Sequence, residues 1–183
     1  MLNLPHDLCR LSEIAFGSHT GTHVDAPSHI IEDGLNLSQI NLDKFIGNAK
    51  CVKLLNKNGL LFFKDEDIVK LKKSSVDILL LYSEWDIKTD DNNEFILDFP
   101  VFSNELCEIM ISMKIKLIGT NIPTIDNTLE FNAHKKLLKR NICIVEGLIN
   151  LELLLNKDFI FVCLPLKLEN SDGSPVRAIA IIE

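Results

Sequence analysis

The run His19-Thr20-Gly21-Thr22-His23-Val24-Asp25-Ala26-Pro27-Ser28-His29 decides how this chain is read. Its metal-binding groups, His19, His23, Asp25 and His29, all fall at odd positions, and alternate residues share one face of an extended strand. A helix would also bring His19 and His23 together at i, i+4, but Gly21, Thr20, Thr22, Val24 and Pro27 oppose one. In a straight strand the Cα atoms of His19 and His23 would stand about 13 Å apart, at ~3.3 Å per residue. Metal–imidazole bonds are only about 2.0–2.1 Å, so the two rings could barely meet at one ion. The strand must bend between them, and Gly21 supplies the freedom. His29, beyond Pro27, is expected to arrive from a turn. Imidazole with carboxylate suits zinc, manganese or iron better than calcium or a thiolate-type site. Ser18, Thr22 and Ser28 are close by, but none sits in a G-x-S-x-G elbow, which argues against a serine hydrolase.

Outward from this run the chain alternates strands and helices. Ala49–Leu55, Val76–Leu81, Ile115–Gly119, Asn141–Val145, Phe159–Leu166 and Val176–Ile182 read as strands. Lys64–Lys72 places Asp65, Glu66 and Asp67 early and Lys70 and Lys72 late, which matches the helix dipole. Ser103 is a candidate N-cap for a helix within Pro100–Met113, whose Leu106, Ile109, Met110 and Met113 fall at helical spacing. Phe131–Arg140 reads as a third helix. The stretch Asn170–Pro175 reads as a turn joining the last two strands into a hairpin. The class is α/β with a mixed sheet.

A length of 183 residues suits one domain spanning 1–183. A net charge of −7 argues against nucleic-acid or anionic-membrane partners. The longest candidate span, Val76–Tyr82, is far short of the roughly 18–20 apolar residues that cross a bilayer. The start, Met1–Arg10, has no basic segment followed by an apolar one, so a cytoplasmic protein is expected. Cys9, Cys51, Cys107, Cys143 and Cys163 have no CxxC spacing and read as reduced thiols.

The eleven-residue run resembles the HxGTHxDxPxH signature of the cyclase-like metal-dependent hydrolases, a family that includes bacterial kynurenine formamidase and isatin hydrolase. The likeness continues from Ser12 onward. It takes in Glu32-Asp33-Gly34 with Ile40–Gly47, and Ile118–Asp126, which is similar to a G-x-D-x-x-S-x-D motif. His134-Lys-Lys-Leu-Leu, Ile144–Leu151, Leu164-Pro-Leu166 and Asp172–Ala178 resemble the family's C-terminal third. Asn121 and Thr124 stand where the family more often has Asp and Ser.

The resemblance implies a swivelling β/β/α-type domain around a mixed, barrel-like sheet, here without the N-terminal strands usual in the family. It implies one or two divalent ions, zinc or manganese. His19, His23 and Asp25 match the ligands of one ion, and His134 and Glu146 those of the second. His29 matches the acid/base residue. Thr20, Thr22 and Ser28 are candidate supporting donors, and Thr124 and Asp126 either support the site or are ordinary turn residues. The implied reaction is hydrolysis of a non-peptide carbon–nitrogen bond, with N-formylkynurenine, an intermediate of tryptophan catabolism, as leading substrate. A divalent ion lowers the pKa of its water from 15.7 towards about 7, so hydroxide is available to attack a formamide or cyclic amide. A homodimer or homotetramer is expected. The alternatives left open are a metal-binding homologue without hydrolytic activity and a polyketide-type cyclase or dehydratase.

Overall fold

The structure is a computed structural model that describes residues 8–86 and 98–182. In chain order its strands and helices begin with β1 (His23–Asp25), β2 (Ile46–Lys53), β3 (Leu55–Lys57), β4 (Leu60–Phe62), α1 (Asp65–Lys72) and β5 (Ile78–Tyr82). They continue with β6 (Val101–Phe102), α2 (Asn104–Ser112), β7 (Leu117–Thr120), α3 (Asn132–Leu138), β8 (Cys143–Glu146), β9 (Asp158–Val162), β10 (Gly173–Pro175) and β11 (Ile179–Ile181). Eight strands make one curled mixed sheet in the order β10-β1-β8-β7-β5-β2-β9-β11, and β3-β4-β6 form a small second sheet. The parallel core β8-β7-β5-β2 is flanked by antiparallel β1 on one side and β9 on the other.

The unbroken apolar run of β5 follows from burial on both faces. Leu79 and Leu81 pack with Ile118 and Ile144 against Leu106 and Met110 of α2 and Leu137 of α3. Ile78 and Leu80 face the other way, towards Leu117, Val145, Phe45, Phe159 and Phe161. The expected helices form, with slightly different ends. Ser103 caps α2 by accepting the Leu106 N–H at 3.1 Å, and α1 carries the acidic first turn and basic last turn that its dipole favours. No helix among the described residues is long and apolar enough to cross a membrane.

Two local expectations are met, one needs correction, and one turn is new. His19 and His29 flank the short strand that carries His23 and Asp25. Gly21, at φ +64°, turns the chain before β1, and Pro27 opens a single 3-10 turn, Pro27–His29, after it. The Asn170–Pro175 stretch is not the tip of a hairpin. Strands β9 and β11 do pair antiparallel, but Gly173–Pro175 leaves to become β10 and pairs with β1. Strand β10 is an edge strand, where a proline without an N–H is tolerated. Finally, β3 and β4 form a hairpin about Asn58-Gly59, both at positive φ (53° and 83°), the pattern of a type I′ turn.

Candidate metal centre

The register of β1 on β8 sets His23 directly opposite Glu146. Asp25 lies two residues further along the same face, while the intervening Val24 points into the apolar core. The bend at Gly21 folds His19 back so that its Nδ1 donates to Asp25 Oδ1 at 2.7 Å. Helix α3 brings in His134 from the other side. Phe131, in the left-handed region at φ 50°, opens that helix, and its ring meets the edge of the His134 imidazole at 5.5 Å. One oxygen of Asp126 accepts both the His134 backbone N–H (2.9 Å) and its ring Nδ1–H (2.8 Å), and the other accepts the Ala133 N–H (3.1 Å). Asp126 is thus both the cap of α3 and the anchor of the His134 ring.

The ring nitrogens facing away from the centre are therefore occupied. His23 Nδ1 donates to the Gly21 carbonyl at 2.9 Å, so its Nε2 points inward, 3.4 Å from Asp25 Oδ1 and 3.6 Å from Glu146 Oε2. His134 Nε2 lies 3.3 Å from Glu146 Oε1 and 3.6 Å from Asp25 Oδ2. Four ligands around a tetrahedral ion with bonds of about 2.0–2.1 Å stand about 3.3–3.4 Å apart. The observed spacings are too long for hydrogen bonds and close to that value. Asp25 is 1% exposed, and its Oδ2 has no hydrogen-bond partner among the described residues. An unpartnered buried carboxylate oxygen costs free energy unless something positive meets it. The donor set, two outer ring nitrogens already satisfied and inner nitrogens facing carboxylates, fits a divalent ion.

Electrostatics agree. Burial pushes His134 down, but the hydrogen bond to Asp126 and the facing carboxylates of Asp25 and Glu146 outweigh it and carry its pKa up to about 11. Burial likewise opposes His19, whose bonds to Asp25 and Asp172 raise it to about 9. Burial raises Asp25, but the facing His134 ring and the hydrogen bond from His19 prevail and pull it down to about 2. Glu146 moves upward, through burial and the nearby charge of Asp25. Burial also raises Asp126, yet the His134 and Ala133 donors hold it below the usual carboxylate range. The pocket binds protons because it is an excess of buried negative charge, and a cation relieves the same excess.

The structure therefore gathers His19, His23, Asp25, His134 and Glu146 in one place. They form two overlapping groups, His19/His23/Asp25 and Asp25/His134/Glu146, that share Asp25. His29 stands beside them, its ring centroid 4.0 Å from that of His19 and 6.1 Å from that of His134. Of the supporting candidates, Thr22 Oγ1 donates to the Gly147 carbonyl at 2.6 Å and ties β1 to the end of β8. Ser28 Oγ is buried without a partner among the described residues. Thr20 is exposed and Thr124 half-buried. Asn121 is turned elsewhere. Its oxygen accepts the Ser83 N–H and hydroxyl, both at 3.0 Å, and its Nδ2 donates to the Trp85 carbonyl at 2.6 Å. An aspartate could not make that last bond. The sequence reading missed Asp172 as a site residue. Its Oδ2 accepts from His19 Nε2 (2.9 Å) and His29 Nδ1 (3.0 Å), and the one signal beyond a turn was that Asp172–Ala178 resembles part of the family's C-terminal third.

Comparison with known proteins now adds to this geometry. Residues 3–127 match the family model described as "Putative cyclase". A kynurenine formamidase of Geobacillus thermodenitrificans is 31% identical over 171 residues, covering 92% of this chain and 78% of the relative. A solved structure titled as a potential metal-dependent hydrolase with cyclase activity superposes with a TM-score of 0.74 at 26% identity, over 93% of this chain and 82% of that one. An isatin hydrolase bound to the product analogue thioisatinate shares the fold, with a TM-score of 0.71 at 22% identity over 92% of this chain and 73% of its own. With more than half of its residues matched to the family model and this fold shared with solved neighbours, the chain belongs to the cyclase family of metal-dependent hydrolases.

Proposed function

We propose that the protein is a metal-dependent amidohydrolase that cleaves the carbon–nitrogen bond of a formamide or cyclic amide, with N-formylkynurenine as the first substrate to test. One observation carries the reading. The buried Oδ2 of Asp25, without a hydrogen-bond partner among the described residues, faces His134 Nε2, which stands 3.3 Å from Glu146 and 3.6 Å from Asp25, spacings that suit a tetrahedral ion. The substrate class is supported by the likeness to a kynurenine formamidase. In this reading His19, His23 and Asp25 hold one divalent ion, Asp25, His134 and Glu146 hold a second, and zinc is the metal the mixed nitrogen and oxygen donors suit best, with manganese next.

When bound, the metal supplies an activated water and a Lewis acid for the carbonyl. The chain's own residues do the rest. Asp126 and the Gly21 carbonyl hold the His134 and His23 rings so that each Nε2 faces inward. His29, with Nδ1 donating to Asp172, would use the lone pair on Nε2 to take a proton from the attacking water and then pass it to the departing nitrogen, a role typically contributing about 10²–10⁴-fold. Burial of Asp25, His134 and Glu146 keeps bulk water away from the charges and strengthens each of these interactions. We also read the protein as a cytoplasmic homodimer. The edge strand β11 leaves Ile179 and Ile181 about half exposed, as an unpaired apolar edge seeking a partner would.

The test is direct. Protein stripped of metal and reloaded with zinc or manganese should hydrolyse N-formylkynurenine, and His29→Ala should lower that rate by at least a hundredfold while binding the same amount of metal. Full metal occupancy with no turnover across a panel of formamides and cyclic amides would overturn the hydrolase reading in favour of a metal-binding homologue.

A further inference from the structure

We propose that Asp172 is a positioning residue that couples the two halves of the site, fixing His19 as a ligand and His29 as a proton carrier through a single carboxylate oxygen. The His29 half of this proposal rests on the amidohydrolase reading; the His19 half does not. Two histidines from different segments, one in the turn before β1 and one in the 3-10 turn after it, converge on Asp172 Oδ2 at 2.9 and 3.0 Å. With its Nε2 donating to Asp172, His19 presents Nδ1 towards Asp25. With its Nδ1 donating, His29 keeps its lone pair on Nε2. A shared acceptor thus sets which nitrogen each ring offers, and it locks the two rings 4.0 Å apart.

The carboxylate is only half-buried, but the backbone carrying it is pinned. The Asp172 carbonyl accepts the Ala26 N–H at 2.8 Å, the residue after Asp25, so the strand bearing the ligands and the segment bearing Asp172 move together. The Ser171 carbonyl accepts the Leu37 N–H at 2.9 Å, and Ser171 Oγ donates to the Gly173 carbonyl at 2.6 Å. Gly173 lies so close beneath the His19 ring that an added Cβ would fall 2.6 Å from Cε1. A surface acid with no task has no need of this framework.

The experiment compares Asp172→Ala and Asp172→Asn with wild type and His29→Ala, all at saturating metal for the rate measurements. Asp172→Ala should weaken zinc binding 10- to 100-fold, the size typical of lost support behind a ligand, as read by competition with a chromogenic chelator; His29→Ala should stay within threefold of wild type. Nitrogen-15 spectra should show the neutral His29 ring shifting from the Nδ1–H to the Nε2–H form in Asp172→Ala, with Asn, which keeps an acceptor oxygen, restoring part of both effects. On turnover, Asp172→Ala should slow anilides and formamides at least tenfold through kcat but a nitrophenyl ester less than threefold, because a good leaving group does not need the proton. The double variant should be no slower than His29→Ala alone. Unchanged zinc affinity together with an unchanged His29 tautomer would overturn the proposal, as would equal losses on poor and good leaving groups. If wild type turns over no amide or ester, the amidohydrolase reading fails by itself, and the affinity and nitrogen-15 measurements still decide the role of Asp172.

Discussion

Substituting Gly173 by alanine tests the centre without removing any of its polar groups. The backbone at Gly173 is not in the left-handed region, and in a strand alanine is favoured over glycine by roughly 0.5–1 kcal/mol, so backbone conformation gives no reason for glycine here. The added Cβ would lie 2.6 Å from His19 Cε1, 3.0 Å from Nε2 and 3.1 Å from Nδ1. Moving the closest pair from 2.6 Å to an ordinary contact of 3.4 Å requires a shift of about 0.8 Å. The ring cannot give freely, because Asp25 holds it at 2.7 Å and Asp172 at 2.9 Å. The displacement therefore falls on the ligand geometry. Gly173→Ala is expected to lower metal affinity about 10- to 100-fold, or roughly 1.4–2.8 kcal/mol, and also to lower the melting temperature of the metal-free protein, because the ring must move off its hydrogen bonds to Asp25 and Asp172 there as well. Chelator competition and circular dichroism on the same samples check both halves. Affinity within twofold of wild type would refute the argument that His19 is wedged in place.

Metal binding should release protons. With His134 raised to about 11 and His19 to about 9, both rings are protonated in chelator-stripped protein at pH 7.5, and each must shed a proton to ligate. Calorimetry in buffers of different ionisation enthalpy should show one to two protons released per ion at that pH, and none released would contradict the assignment. The same shifts set the stability of stripped protein. The His134 contribution is complete below its ordinary value of 6.5 and is lost as pH rises through about 11, and the Asp25 contribution is present above 3.8 and is lost as pH falls towards 2. Urea melts across the pH range should follow both edges. Burial pushes Cys51, Cys107 and Cys143 up to about 12 and Cys163 higher, whereas Cys9 is exposed. A colorimetric thiol titration at pH 8 should count one fast thiol in native protein and all five in guanidinium. Asn121→Asp, which installs the residue more usual in the family, should cost about 1–3 kcal/mol in urea melts by setting a carboxylate against the Trp85 carbonyl, with metal content unchanged.

The sequence carried what depends on local chemistry. The bend at Gly21 followed from comparing strand rise with metal-bond length, and the arrival of His29 from a turn followed from Pro27. The helix around Ser103 was legible from a cap and an apolar period. Contacts between distant segments were not. Taken by itself, His134 is a histidine in a basic helix, and Glu146 is one acid at a strand end; only the resemblance singled them out, because the β1–β8 register and the anchor at Asp126 are properties of the folded sheet. Gly173–Pro175 hid because turn-forming residues also suit a short edge strand, and Asn58-Gly59 was a local signal that the strand reading passed over. Asp172 was invisible because its partners lie at the opposite end of the chain.

Strand β1 is only three residues long, yet it is held between β8 and β10, both drawn from the last third of the chain. During synthesis the histidines of the opening run emerge early and wait for nearly the whole polypeptide before their partners exist. A nascent or C-terminally shortened chain would carry the metal-binding signature without the means to form the centre. Ion capture then becomes a late event that reports completed folding, and a metal-loading assay on truncated chains would double as a clock for when the sheet closes.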